Sequence, residues 1–167
     1  MSRWMRIAVP VFLVLVGLGL PAQNSMAPAS DTANVREKLI GSWHLISRDE
    51  QYADGKIQTR TDAVGVIMYT ADGHMSAQVY DARRSPLGVD PESASAESVR
   101  PLYVGSAAYF GTYSVDTATH RVTHVVEGSW LPDWIGRHLE RSYRFVGDDQ
   151  LELSVPGFAL LWQRMRV

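Results

Sequence analysis

Gly65-Val66-Ile67-Met68-Tyr69-Thr70-Ala71-Asp72-Gly73-His74-Met75-Ser76-Ala77-Gln78-Val79-Tyr80 places two runs of strand-forming residues on either side of a turn. Ala71-Asp72-Gly73 has the turn chemistry, with Gly73 suited to a left-handed bulge position. That geometry pairs Tyr69 with Met75 and Ile67 with Ala77. Ile67, Tyr69, Met75, Ala77 and Val79 then share one apolar face, and Ser76 and Gln78 fall on the other. A one-residue slip would reverse both faces, so the pattern specifies this register.

The same rhythm extends outward in both directions. Candidate strands run near 42–51, 56–61, 65–70, 74–80, 107–115, 120–128, 137–146, 150–155 and 158–165. Turn signals lie between most of them: Asp54-Gly55, Asp116-Thr117-Ala118-Thr119 and Gly147-Asp148-Asp149. Residues 81–103 break the rhythm with Pro86, Gly88 and Pro91; within them 92–99 is a candidate helical turn or two. A long irregular segment of this kind is a candidate lid over the mouth of the fold. Ahead of the strands, Ser30-Asp31-Thr32 offers N-cap residues for a short helix carrying Val35, Leu39 and Ile40, stopped by Gly41. Eight or nine short antiparallel strands in one domain mean a barrel or a sandwich.

The second hairpin brings polar groups to the inner face. Pairing Asp116 with Thr119 around a two-residue turn sets Tyr113 opposite Val122, Gly111 opposite His124 and Tyr109 opposite Val126. Thr112, Ser114, Arg121 and Thr123 then face solvent, and His124 points inward. On the following strand Leu139, Arg141, Tyr143 and Phe145 share the inner face, which puts the Arg141 guanidinium among apolar neighbours. A buried guanidinium without a partner costs several kcal/mol, so Arg141 needs either a protein carboxylate, Glu127 for example, or an acidic group on a ligand. Tyr69, Tyr109, Tyr113, His124 and Arg141 thus become the candidate ligand-binding residues. Trp134, in the turn Pro132-Asp133-Trp134, is a candidate for the rim. The bland alternatives are a hydrogen-bonded core histidine and tyrosines that only pack.

The first 29 residues read as a secretory signal peptide. Arg3 and Arg6 precede an apolar run over 7–20, and small residues follow, with cleavage after Ala22 or Ala29. The run is shorter than the ~20 apolar residues of a membrane span, so no stable membrane insertion is expected after cleavage. Residues 30–167 then form one exported domain, periplasmic or secreted. Cysteine is absent from the 167 residues, which excludes disulfides, thiol chemistry and acylation at a cysteine. Net charge is −2, and −4 without Arg3 and Arg6. With no basic runs, the chain is a poor match for nucleic acid. No cofactor is expected, since phosphate-cradling glycine loops are missing. Neither is a metal, because His120 and His124 lie about 13 Å apart on a strand and His44, His74 and His138 fall on solvent faces.

Four stretches resemble the bacterial lipocalin-like domain proteins: GSWHLIS from Gly41, YTADGHMSAQ from Tyr69, AYFGTYSVD from Ala108 and THVVEGSWLPDWIG from Thr123, followed by Arg141. The similarity spans about 39–164. It implies an all-β, antiparallel, eight- to nine-stranded lipocalin-like barrel, with the short N-terminal helix plugging one end. It also implies a structural signature in which Gly41 and Trp43 open the first strand and Arg164, on the last, lies across the Trp43 face. The expected partner is a small apolar or amphipathic ligand, with Arg141 meeting an acidic or polar head group. His124 and the tyrosines would orient that head, while Ile67, Val79, Val122 and Leu139 hold the tail. Two other functions fit the same residues. One is an isomerase, cyclase or dehydratase with His124 as base and Arg141 stabilising an oxyanion. The other is an envelope protein with a packed, cavity-free barrel. Binding ranks first because a clear second acid or nucleophile is missing. The pattern does not specify an oligomeric state.

Overall fold

The computed structural model describes residues 29–166. The signal-peptide reading of the first residues falls, up to residue 28, outside the described residues. The chain enters as helix α1 (Ala29–Leu39) and continues as strands β1 (Gly41–Gln51), β2 (Ile57–Arg60), β3 (Ala63–Tyr69) and β4 (His74–Asp81). Helix α2 (Ala96–Val104) interrupts before β5 (Ser106–Asp116), β6 (Arg121–Ser129), β7 (His138–Val146), β8 (Gln150–Val155) and β9 (Phe158–Arg164). Neighbouring strands pair antiparallel in the order β2-β1-β3-β4-β5-β6-β7-β8-β9, and β1 also pairs with β9. That last pairing closes eight strands into a barrel, with β2 as an extra strand beside β1.

The β3–β4 hairpin has the register read from the sequence: Tyr69 opposite Met75, Ile67 opposite Ala77. Gly73 adopts a φ of 94° in the turn, a conformation that costs glycine nothing. Ile67, Tyr69, Met75 and Ala77 are buried. The β5–β6 hairpin differs from expectation. Asp116 pairs with Arg121, not Thr119, and His120 takes a positive φ of 52° to close the longer turn. Tyr113 therefore faces His124, and Gly111 faces Val126. This is a slip of two residues, which leaves every side chain on its expected face. A bulge at Glu127 then brings Tyr109 opposite Ser129. Gly111 permits that bulge, since a Cβ there would sit 1.9 Å from the Val125 carbonyl oxygen.

Helix α1 covers one end of the barrel. Its Leu39 is fully buried against the interior and Val35 packs beside it. Arg36 donates to the Ala71 carbonyl at 3.1 Å and lies 5.6 Å from the Tyr113 ring centre. Asp31 and Thr32 sit inside the helix, which begins earlier than the N-cap reading placed it. At its other terminus, Arg164 donates to the carbonyls of Ile40 (2.9 Å) and Lys38 (2.5 Å). The Arg164 guanidinium lies 4.0 Å from the Trp43 ring centre, and the Trp43 indole N–H donates to the Leu39 carbonyl at 2.9 Å. A helix C-terminus leaves carbonyls without intrahelical donors and attracts positive charge. Arg164 and Trp43 supply the donors, and Arg164 supplies the charge.

Candidate functional site

Alternation along the strands aims the candidate residues at one another. Tyr69 from β3, Tyr109 from β5 and His124 from β6 all project inward, where the Tyr69 hydroxyl lies 2.8 Å from His124 Nε2. The Tyr109 hydroxyl lies 2.9 Å from Nδ1 of the same ring. His124 is 1% exposed. An imidazole buried this way holds its proton poorly, because charging it means desolvating the cation. Burial first, then the nearby positive charge of Arg141, lowers its pKa from 6.5 to about 3. The ring is neutral at any ordinary pH. Burial also pushes the Tyr69 and Tyr109 hydroxyls above their usual range, and Arg141 pulls both the other way. One positive charge thus acts on all three groups.

Arg141 comes from β7, opposite the fully buried Val122 of β6, and is half-buried. Among the described residues its side chain makes one hydrogen bond, to the carbonyl of Glu140, at 2.8 Å. The pairing with Glu127 weighed from the sequence does not form, because Glu127 occupies the bulge and is exposed. No carboxylate among the described residues pairs with Arg141. Tyr113 is inward too, edge-on to Tyr69 at 4.8 Å, but its hydroxyl donates to the Thr70 carbonyl at 3.1 Å. That makes it a wall of the site with its polar atom already used. Trp134 stands half-buried, edge-on to Tyr109 at 5.8 Å, and so borders the site from the β6–β7 connection.

The sequence reading missed an inward arginine. Arg48 is 8% exposed, donates to Asp62 at 3.1 Å and lies 3.5 Å from Glu50. Trp43 and Leu45 set an odd-numbered inner face, on which Arg48 should point out. A bulge between Leu45 and Ser47 shifts the phase by one, so Arg48 pairs with Leu160 and turns in. Asp62 also accepts from Arg60 and contacts Arg83. The Arg60 hydrogen bond first, and then the charges of Arg48, Arg60 and Arg83, outweigh burial and hold its carboxyl below the usual range. Among the described residues, the buried Trp162 indole N–H and Tyr143 hydroxyl have no hydrogen-bond partner.

Under α1, Leu39, Trp43, Ile67, Leu151 and Trp162 belong to one core cluster, each at most 1% exposed. Two hollows lie on the outside of the barrel. One, about 160 Å³, is bordered by Tyr80, Arg84, Leu102 and Trp130; the other, about 270 Å³, by Val64, Val66 and Tyr80. Helix α2 leans on that outer face, with Tyr103 5.3 Å from Trp130. No three His, Asp or Glu side chains among the described residues are placed to hold a metal ion. No helix among them is long and apolar enough to cross a membrane.

A family model for a lipocalin-like domain matches residues 40–164. Among solved structures, a lipocalin-like protein from Bacteroides uniformis ATCC 8492 is 16% identical with a TM-score of 0.45, covering 77% of this chain and 99% of its own. An uncharacterized protein from Bacteroides eggerthii DSM 20697 is 14% identical with a TM-score of 0.41, covering 76% and 99%. The siderocalin Ex-FABP, described as functioning through dual ligand specificities, is 9% identical with a TM-score of 0.25, covering 77% and 71%. None of the curated proteins matches the chain.

Proposed function

Because the chain belongs to the lipocalin-like domain family over residues 40–164, we propose that it binds a small, largely apolar molecule with an acidic or polar head inside the barrel. The observation that carries this reading is Arg141: inward, half-buried, beside the Tyr69–His124–Tyr109 chain, and without a carboxylate partner among the described residues. A guanidinium in that position gains most from an anionic group brought to it. Trp134 and Tyr109 border the site from the β6–β7 connection, and Tyr113 walls it on the side of α1. The apolar side chains of Val122 and Leu139 support the tail.

Binding is preferred to catalysis on the state of His124. A base whose conjugate acid has a pKa of about 3 is weak at neutral pH, far from the value general-base catalysis favours. Export through cleavage of the first 29 residues belongs to the same proposal and rests on the basic start and short apolar run. Sequencing the N-terminus of the protein made in a bacterial host tests it. The binding reading is tested with a panel of fatty and aromatic acids against wild type and Arg141→Met. Loss of binding in the variant supports the reading, and equal binding by both removes it.

A further inference from the structure

The Tyr69–His124–Tyr109 chain holds one proton more than its own hydrogen bonds use. Two hydroxyls and one neutral imidazole carry three donor protons between them, and the chain has two hydrogen bonds. The imidazole donates one bond and accepts the other. Whichever way it is arranged, one tyrosine keeps a hydroxyl proton with nothing in the chain to accept it. Neither hydroxyl has a second hydrogen-bond partner among the described residues.

Burial decides which tyrosine that is. Tyr69 is 2% exposed, wedged between Tyr113 and His124. An O–H left without an acceptor there would suffer the full desolvation penalty. Its proton therefore goes to His124 Nε2. The ring proton then sits on Nδ1 and is donated to the Tyr109 oxygen, which leaves the Tyr109 hydroxyl proton free. Tyr109 is the half-buried member, bordered by Trp134, and the charge of Arg141 reaches it.

We infer that the barrel interior recognises a carboxylate, one oxygen accepting from the Tyr109 hydroxyl and the other from the Arg141 guanidinium, with His124 fixed in its Nδ1–H tautomer to aim that hydroxyl. This rests on the reading that an acid binds at Arg141. It goes further by selecting the head group. A carboxylate at neutral pH only accepts, matching two donors, whereas an ammonium head offers donors to donors and brings a positive charge to Arg141. The tautomer is set before any ligand arrives, so the protein does not reorganise to bind.

The experiment uses octanoate, 1-octanol and octylamine as probes at pH 7.5, titrated calorimetrically into the protein, Tyr109→Phe and Arg141→Met. The His124 ring nitrogens are read in parallel by ¹⁵N NMR. Expected are octanoate binding to wild type, no octylamine binding, weaker 1-octanol binding, and a loss of about tenfold to a hundredfold for octanoate in Tyr109→Phe. The ligand-free spectrum should show a protonated Nδ1 and an imine-type Nε2, unchanged by octanoate. A protonated Nε2, or equal octanoate affinity in wild type and Tyr109→Phe, overturns the inference while leaving binding at Arg141 in place. Octanoate binding that Arg141→Met leaves intact overturns the underlying reading, and failure of octanoate to bind wild type overturns both. The tautomer is measured on the unaltered protein, so misfolding of Tyr109→Phe does not remove the test.

Discussion

Arg164 and Arg141 both turn toward the barrel axis, and their surroundings differ in nearly every respect. Arg164 stacks on Trp43 and donates to two carbonyls at the end of α1. The Arg141 side chain makes one bond among the described residues, to the carbonyl of its own neighbour Glu140. Arg48 lies between these extremes, held by Asp62 and Glu50. An interior guanidinium with its donors engaged stiffens the fold around it. One whose donors are mostly unengaged adds little to the fold and is available for an anion. Arg164 accordingly serves the fold, and Arg141 is the arginine proposed to serve binding.

Four changes test that division. Trp43→Ala removes a fully buried indole, its hydrogen bond and the platform for Arg164. It should cost about 3–5 kcal/mol, read from urea unfolding, and a loss below 1 kcal/mol would mean that Trp43 and Arg164 do not stabilise the fold. Next comes acid. Because the folded pKa of His124 is depressed to about 3, the unfolded chain takes up a proton below 6.5 that the folded protein refuses. Stability must fall as pH falls, by about 2 kcal/mol between pH 7 and pH 5. Burial is the cause, and Tyr69, Tyr109 and Arg141 are the groups facing the ring. Asp62, Asp81, Asp116 and Asp149 have carboxyls held below their ordinary values, so they titrate under that window. His124→Gln should flatten the profile from pH 7 to 5; an equally steep profile in the variant assigns the slope elsewhere.

Arg164→Met removes the stacked cation and two carbonyl bonds and should cost about 1–2 kcal/mol in the same unfolding experiment. Arg141→Met should change stability by about 1 kcal/mol or less, with either sign, since it exchanges a thinly bonded guanidinium for an apolar chain of similar length. A larger loss in Arg141→Met than in Arg164→Met would reverse the assignment of the two arginines.

Much of this division was legible before any coordinates. The β3–β4 register followed from Asp72-Gly73 and the alternation on either side. The inward faces of β5, β6 and β7 were also legible, even though the β5–β6 turn is longer than its sequence advertises. A two-residue slip changes the partners of Tyr113 and Gly111 but not their face. Arg48 was invisible for the opposite reason. One extra residue in β1 inverts everything after it, and nothing in Leu45-Ile46-Ser47 marks the bulge. The hydrogen bonds that join Tyr69 and Tyr109 to the two nitrogens of His124 were also out of reach, because they link three strands whose barrel positions no local pattern encodes.

The claim that matters most is that the two arginines have divided roles, and one titration tests it. Octanoate is added to wild type, Arg164→Met and Arg141→Met at a temperature where all three are folded. The account predicts saturable binding to wild type and Arg164→Met and at least a tenfold loss in Arg141→Met. Equal affinity in wild type and Arg141→Met would contradict it.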